Sequence, residues 1–193
     1  SPLFKVPPLG LGYIAAMLKR NGFEVKIFDL NVENSSLKEF LSFERPEIVG
    51  VSCVVANARQ AFEITRKLKS LLPQCFIVVG GPYPSVMGER LLARHREIDA
   101  AVVGEGESTA LELFKRLQNE QGLDGINGLI FRDKNKVKRG PPRNPIEPLD
   151  SLPFPAREKL PMRLYGENAG VIFTSRGCPY QCIFCSRPVF GRK

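Results

Sequence analysis

Ile48-Val49-Gly50-Val51-Ser52-Cys53-Val54-Val55 is a nearly continuous apolar run. A run of this kind suits a strand covered on both faces, as in parallel sheets. Two more follow. Cys75-Phe76-Ile77-Val78-Val79 closes on Gly80-Gly81-Pro82, and Ala100-Ala101-Val102-Val103 runs into Gly104-Glu105-Gly106-Glu107. Between the first two runs, Ala58, Ala61, Phe62, Thr65, Leu68 and Leu72 keep one helical face. Arg59, Arg66, Lys67 and Lys69 point away from it, and Pro73 ends the helix. After the third run Ala110, Leu113, Phe114 and Leu117 form another apolar face, and Thr109 with Glu112 fits a capping box. Ser85 is placed to cap a helix reaching Arg94. Alternating strands and helices predict an open, Rossmann-like (flavodoxin-like) α/β fold with a parallel sheet.

Upstream, Gly10 opens a helix striped by Leu11, Ile14, Ala15 and Leu18, and Asn21-Gly22 stops it. Glu24–Phe28 alternates as a strand ending at Asp29, and residues 37–43 read as a short helix. A domain of this class is expected to begin with a strand, so the chain reads as a piece whose first strand lies outside it. Downstream, residues 128–138 read as a hairpin. A proline-rich arm follows, with Pro141, Pro142, Pro145, Pro148, Pro153, Pro155 and Pro161. Such density disfavours both helix and flexible coil. It reads as a semi-rigid strap anchored by Leu149, Leu152, Phe154 and Leu160. Val171-Ile172-Phe173-Thr174 is a last strand-like run.

The 193 residues suffice for one good core and part of another, and 43% hydrophobic and 25% charged residues are ordinary for a globular protein. No apolar run approaches the ~20 residues of a membrane helix. The net charge of +8 falls entirely in the last third: residues 1–131 balance, whereas 132–193 hold thirteen basic and five acidic side chains. A solvated linker accounts for that excess; an anionic partner or cofactor is the alternative. Basic residues are not interleaved with aromatics in the manner of a nucleic-acid surface.

Cys53 and Cys75 lie in apolar runs and read as small buried hydrophobes. Cys178, Cys182 and Cys185 instead form C-x-x-x-C-x-x-C, directly after Thr174-Ser175-Arg176-Gly177. Clustered thiols without framework spacing suit a reducing, cytoplasmic compartment and a metal. A structural zinc takes four ligands, and no fourth cysteine or histidine lies nearby; the single histidine, His95, reads as a surface residue. Three thiolates can instead hold three irons of a [4Fe-4S] cluster and leave the fourth open to a ligand.

Cys178, Cys182 and Cys185, with Phe184 before the last, resemble the signature of radical S-adenosylmethionine enzymes. The resemblance implies a partial (β/α) barrel whose first strand precedes this loop. It implies that S-adenosylmethionine binds the open iron, with Phe184 beside its adenine, and that reductive cleavage yields a 5′-deoxyadenosyl radical. Pro7-Pro8-Leu9-Gly10-Leu11-Gly12-Tyr13, Val49–Val54, Val79-Gly80-Gly81-Pro82 and Gly104-Glu105-Gly106-Glu107 are similar to the cobalamin-binding domain that precedes the barrel in one large group of these enzymes. Leu152-Pro153-Phe154-Pro155-Ala156-Arg157 is similar to the strap between the two. Ligands of open α/β sheets bind beyond the strands' carboxyl ends. On that likeness Ser52, Val54, Gly80, Gly81, Gly104, Glu105 and Gly106 are expected to contact cobalamin; plain turn chemistry is the alternative for the glycines. The Asp-x-His-x-x-Gly phrase that supplies a cobalt-binding histidine in cobalamin mutases is not present.

The domains expected are a cobalamin-binding α/β domain over 1–125, a hairpin and linker over 126–168, and the start of a barrel over 169–193. The chemistry expected is methyl transfer from cobalamin to an unactivated carbon or a phosphinate of a small-molecule substrate, with a flavodoxin or ferredoxin as reductant. The alternatives are a cobalamin-dependent cyclase, a radical enzyme whose α/β domain only docks a substrate or partner, and a flavodoxin-like module with a zinc loop. Glu105 and Glu107 read as helix-start carboxylates, and Arg176 either as a barrel-mouth residue or as a carboxylate's partner. By itself the fragment is expected not to turn over.

Overall fold

The computed structural model describes residues 5–180 and 182–185. These fall into two compact units. One comprises the described residues up to Glu44 with Glu147–Ser175; the other comprises Arg45–Ile146 and the described residues from Arg176 on.

The larger unit is the α/β layer. Its elements are β1 (Ile48–Ser52), α3 (Ala58–Leu71), β2 (Phe76–Gly80), α4 (Pro82–Met87), α5 (Glu89–Arg94), β3 (Ala100–Val102), α6 (Glu107–Gln118), β4 (Leu129–Asp133) and β5 (Lys136–Arg139). The five strands form one sheet in the order β1-β2-β3-β4-β5. β1, β2 and β3 run parallel, with Ser52 opposite Gly80 and Val79 opposite Ala101. The hairpin joins this sheet, β4 pairing antiparallel with both β3 and β5.

β2 and β3 have neighbours on both sides, and their runs are buried as expected: Ile77, Val79, Ala100 and Ala101 are fully inaccessible. β1 differs from expectation. Ile48, Val49 and Val51 are half-buried and Gly50 and Ser52 exposed, because among the described residues β1 pairs with β2 alone. The core on one side gathers Ala61, Phe62, Val79, Leu91, Leu92, Ile98 and Ile130; that on the other gathers Val78, Val102, Leu113, Ile126, Leu129 and Phe131. Each fully buried Leu or Ile contributes about 1.5–3 kcal/mol relative to exposure.

Three local expectations are corrected. The helix after β2 breaks at Gly88, whose φ of 55° is left-handed, so it forms as α4 and α5. Lys69 does not point away: its Nζ lies 2.8 Å from Asp99 Oδ2 and donates to the Cys75 carbonyl. Thr109 makes no capping box, because α6 starts two residues earlier; its buried hydroxyl donates to the Asn127 carbonyl, and Glu112 pairs with Arg143.

The other unit holds α1 (Leu9–Arg20) and α2 (Leu37–Phe43). On α1, Leu9, Gly12, Ala15, Ala16 and Leu18 are buried, whereas Leu11 and Ile14 are half-buried. Gly12 lets the strap approach: a Cβ there would lie 3.1 Å from Pro155 Cβ, and the Gly12 carbonyl accepts the Ala156 N–H. Leu160, Val32 and Tyr165 make a second small core. Burial and a 2.7 Å hydrogen bond to Asp29 Oδ2 push the Tyr165 hydroxyl's pKa up. Glu24–Phe28 and Val171–Thr174, expected as strands, are not strands, having no ladder partner among the described residues. Phe154, expected as an anchor, is 94% exposed; Ala156 and Leu160 are the strap's buried residues. No described helix is long and apolar enough to cross a membrane.

Candidate functional site

In the α/β unit the carboxyl ends of β1, β2 and β3 carry the residues singled out in the sequence. Ser52 ends β1 exposed, opposite Gly80, which ends β2. The chain continues flat across this edge, Cys53 N–H donating to the Gly80 carbonyl. Gly81 follows with φ 112°, and a Cβ on it would sit 2.7 Å from the Cys53 carbonyl oxygen. Only glycine fits this position, since the conformation and the space both exclude a side chain. Gly104, at φ 78°, has nothing within 4 Å of where a Cβ would stand, so its face is open. Gly106 is the N-cap of α6 and Glu107 its first residue, placing carboxylate at the positive end of the helix.

Two residues missed in the sequence hold these loops. Ser85 Oγ donates to the Gly81 carbonyl at 2.9 Å and accepts from the Gly104 N–H at 3.0 Å, joining the loop after β2 to the loop after β3. It lies inside α4 and is not a helix cap. Asn57 Oδ1 accepts the Val54 N–H at 2.8 Å, while its Nδ2 reaches the Ser52 carbonyl. The only signal in the sequence was a short polar residue a few positions beyond each strand end. Val54 and Val55 expose apolar side chains after β1, Val55 to 76%, as does Val86 on α4. A glycine cradle with open backbone and an apolar lip suits a flat, partly apolar ligand.

The thiol loop joins this same unit. Arg176 answers the open question in favour of a carboxylate partner. Its Nη2 lies 2.5 Å from Glu107 Oε1 and its Nη1 3.5 Å from Glu105 Oε1. Gly177, at φ 86°, then turns the chain into Cys178, which is half-buried. Cys182 and Cys185 are exposed, linked by a hydrogen bond from the Cys185 N–H to the Cys182 carbonyl. Phe184 is 91% exposed. Gln181 lies outside the described residues. Among the described residues, no three His, Cys, Asp or Glu side chains stand together as a metal site. The donor set itself, three thiols and no imidazole, is soft and one ligand short of tetrahedral, which fits an iron–sulfur cluster with an open iron.

Cys53 and Cys75 are buried and take no part. Burial pushes the Cys53 thiol up to about 11, so it stays protonated at neutral pH. His95 is not a surface residue: its ring stacks on Phe62 with centroids 3.9 Å apart, and Nδ1 lies 3.3 Å from Glu97.

Known proteins are similar to this chain. The chain is 37% identical, over 97% of its length, to an uncharacterized methyltransferase, PH0819, of Pyrococcus horikoshii. It is 30% identical, over 98% of its length, to the anaerobic magnesium-protoporphyrin IX monomethyl ester cyclase of Synechocystis. It covers 42% and 40% of those two proteins, so it spans less than half of each. A solved structure of the cobalamin-dependent S-adenosylmethionine radical enzyme OxsB, with aqua-cobalamin and S-adenosylmethionine bound, superposes with a TM-score of 0.79 at 27% identity, over 94% of this chain and 26% of that one. The B12 binding domain family matches residues 1–114, more than half of the chain. The chain belongs to the B12-binding domain family, and the relatives it matches over nearly its whole length include a cobalamin-dependent radical S-adenosylmethionine enzyme.

Proposed function

We propose that this chain carries the cobalamin cradle and the cluster loop of a cobalamin-dependent radical S-adenosylmethionine enzyme, and that the enzyme transfers a methyl group to an unactivated carbon or phosphinate of a small molecule. One observation carries the reading: a glycine cradle at the strand ends and a C-x-x-x-C-x-x-C loop lie in the same compact unit, linked by Arg176. When bound, the cluster supplies the electron that cleaves S-adenosylmethionine, and cobalamin supplies the methyl group.

The chain's own residues have distinct tasks. Cys178, Cys182 and Cys185 hold the irons as thiolates, and Phe184 offers an aromatic face to adenine. Gly80 and Gly81 bring backbone close to the cobalamin tail, with the exposed Ser52 hydroxyl beside them. Val54, Gly104, Glu105 and Gly106 line the same ends. A flavodoxin or ferredoxin in a cytoplasmic, reducing setting is the reductant that fits. Relatives named as a methyltransferase and as a cyclase leave cyclisation as the second reading.

The test uses the full-length protein, reconstituted anaerobically with iron, sulfide and hydroxocobalamin and then reduced. We expect S-adenosylmethionine to be converted to 5′-deoxyadenosine, and Cys182→Ala to abolish that conversion. Cleavage that survives in Cys182→Ala would sink the cluster assignment.

A further inference from the structure

Arg176 stands two residues before the first thiol, and its side chain is only 21% exposed. A guanidinium is a rigid fork that can engage two carboxylates at once. Here one nitrogen meets Glu107 at 2.5 Å and the other faces Glu105 at 3.5 Å. Both carboxylates are committed to the α/β unit. Glu107 is the first residue of α6, and its side chain is 5% exposed. A carboxylate so buried needs a counter-charge, and Arg176 provides it. The other oxygen of Glu107, Oε2, is buried and accepts no hydrogen bond among the described residues, so the carboxylate has no described donor there to replace Arg176. Glu105 is fixed from its far side, Oε2 accepting the Ile146 N–H at 2.6 Å.

We propose that Arg176 is a positioning residue. Its ion pairs pin the entry to the thiol loop onto the loop that closes β3, and so fix Cys178 relative to the cobalamin cradle. The cofactor half of this statement rests on the function proposed above; the tether itself does not. The 104–107 loop thereby serves two clients. Gly104 keeps an open face toward the strand ends, while Glu105 and Glu107 hold the chain that leads to the cluster. The half-burial of Cys178, beside exposed Cys182 and Cys185, is the trace the tether leaves on the thiols.

The experiment measures alkylation of each cysteine by iodoacetamide in the metal-free, full-length protein, resolved by mass spectrometry across a pH series. The rate of the fully ionised thiol is taken from each profile, which separates access from ionisation. In Arg176→Ala we expect Cys178 to accelerate roughly tenfold, with Cys182 and Cys185 within about twofold of wild type. Cys53 and Cys75, buried in the sheet, report intactness and should stay unlabelled at neutral pH. Glu107→Gln, which leaves the Glu105 pair in place, should accelerate Cys178 less, and the double variant should go no further than Arg176→Ala alone, as members of one shared contact require. If Arg176→Ala exposes Cys53 and Cys75, Arg176→Lys takes its place, with about threefold acceleration expected because the charge remains and the fork is lost. Unchanged Cys178 reactivity in an intact variant, or additive effects in the double variant, would overturn the tether. Iron and cobalamin binding are measured separately, so a protein that takes up no cluster would count against the proposed function and leave the alkylation result to decide the tether.

Discussion

The loop after β2 and the loop of thiols are held by different means. The chain after Gly80 is fixed by backbone geometry: Gly81 packs against the Cys53 carbonyl, Ser85 ties it to Gly104, and the strand before it is buried on both sides. The stretch from Cys178 to Cys185 is gripped at its entry by Arg176, and beyond it Tyr180, Ile183 and Phe184 are 72%, 101% and 91% exposed. One loop is a mould set by the fold before a ligand arrives. On the proposed function, the other is a donor set whose final shape comes with its ligand, the usual case where metal binding and local folding are coupled. The two should therefore fail differently when mutated.

The largest effect should fall on the thiol loop. Cys185→Ala removes one of the three proposed ligands, and iron and sulfide uptake on anaerobic reconstitution should drop by about a hundredfold or more, while thermal unfolding barely moves. A fall in melting temperature matching that of a core mutation would break the distinction. Gly81→Ala should do the reverse. Its Cβ meets the Cys53 carbonyl and its φ of 112° is strained for alanine, so we expect a loss of about 2–4 kcal/mol in denaturant unfolding, with cobalamin affinity reduced and iron uptake retained. Ser85→Ala removes the hydroxyl between two loops and should cost about 1 kcal/mol, read in the same unfolding curves. A test of a different kind comes from pH. Cys53 in the folded chain is pushed up to about 11 from its ordinary 9.0, whereas the unfolded chain ionises at the ordinary value. Its contribution is therefore constant below pH 9.0 and is lost between there and about 11, lowering stability by up to about 3 kcal/mol as pH rises. A stability that climbed over that range would contradict the burial of this thiol.

Much of this was legible in the sequence, for reasons that differ by element. β2 and β3 were readable because interior strands bury both faces, so their composition carries the signal. β1 looked the same in composition, yet its burial depends on a neighbour that composition does not reveal. Residues 24–28 and 171–174 had strand patterning, but a strand exists only where a ladder partner stands beside it. Gly81 and Gly104 were legible because positive φ demands that residue type. Ser85 was not, since a hydroxyl inside a helix becomes a bridge only when two loops are brought side by side; Asn57 was not, because its local bonds to Val54 and Ser52 form only once the chain turns back on itself after β1. The thiol spacing is visible in the sequence as a pattern; the pairing of Arg176 with carboxylates some seventy positions away in sequence is not, because nothing local encodes which loop lies opposite.

The central claim is that one protein holds two cofactors on two separable loops. The most direct measurement is cobalt and iron content, by elemental analysis on the same reconstituted samples of full-length wild type, Cys182→Ala and Gly81→Ala. The account predicts both metals in wild type, cobalt without iron in Cys182→Ala, and iron with diminished cobalt in Gly81→Ala. Loss of both metals together in either variant, or no cobalt in the wild type, would contradict it.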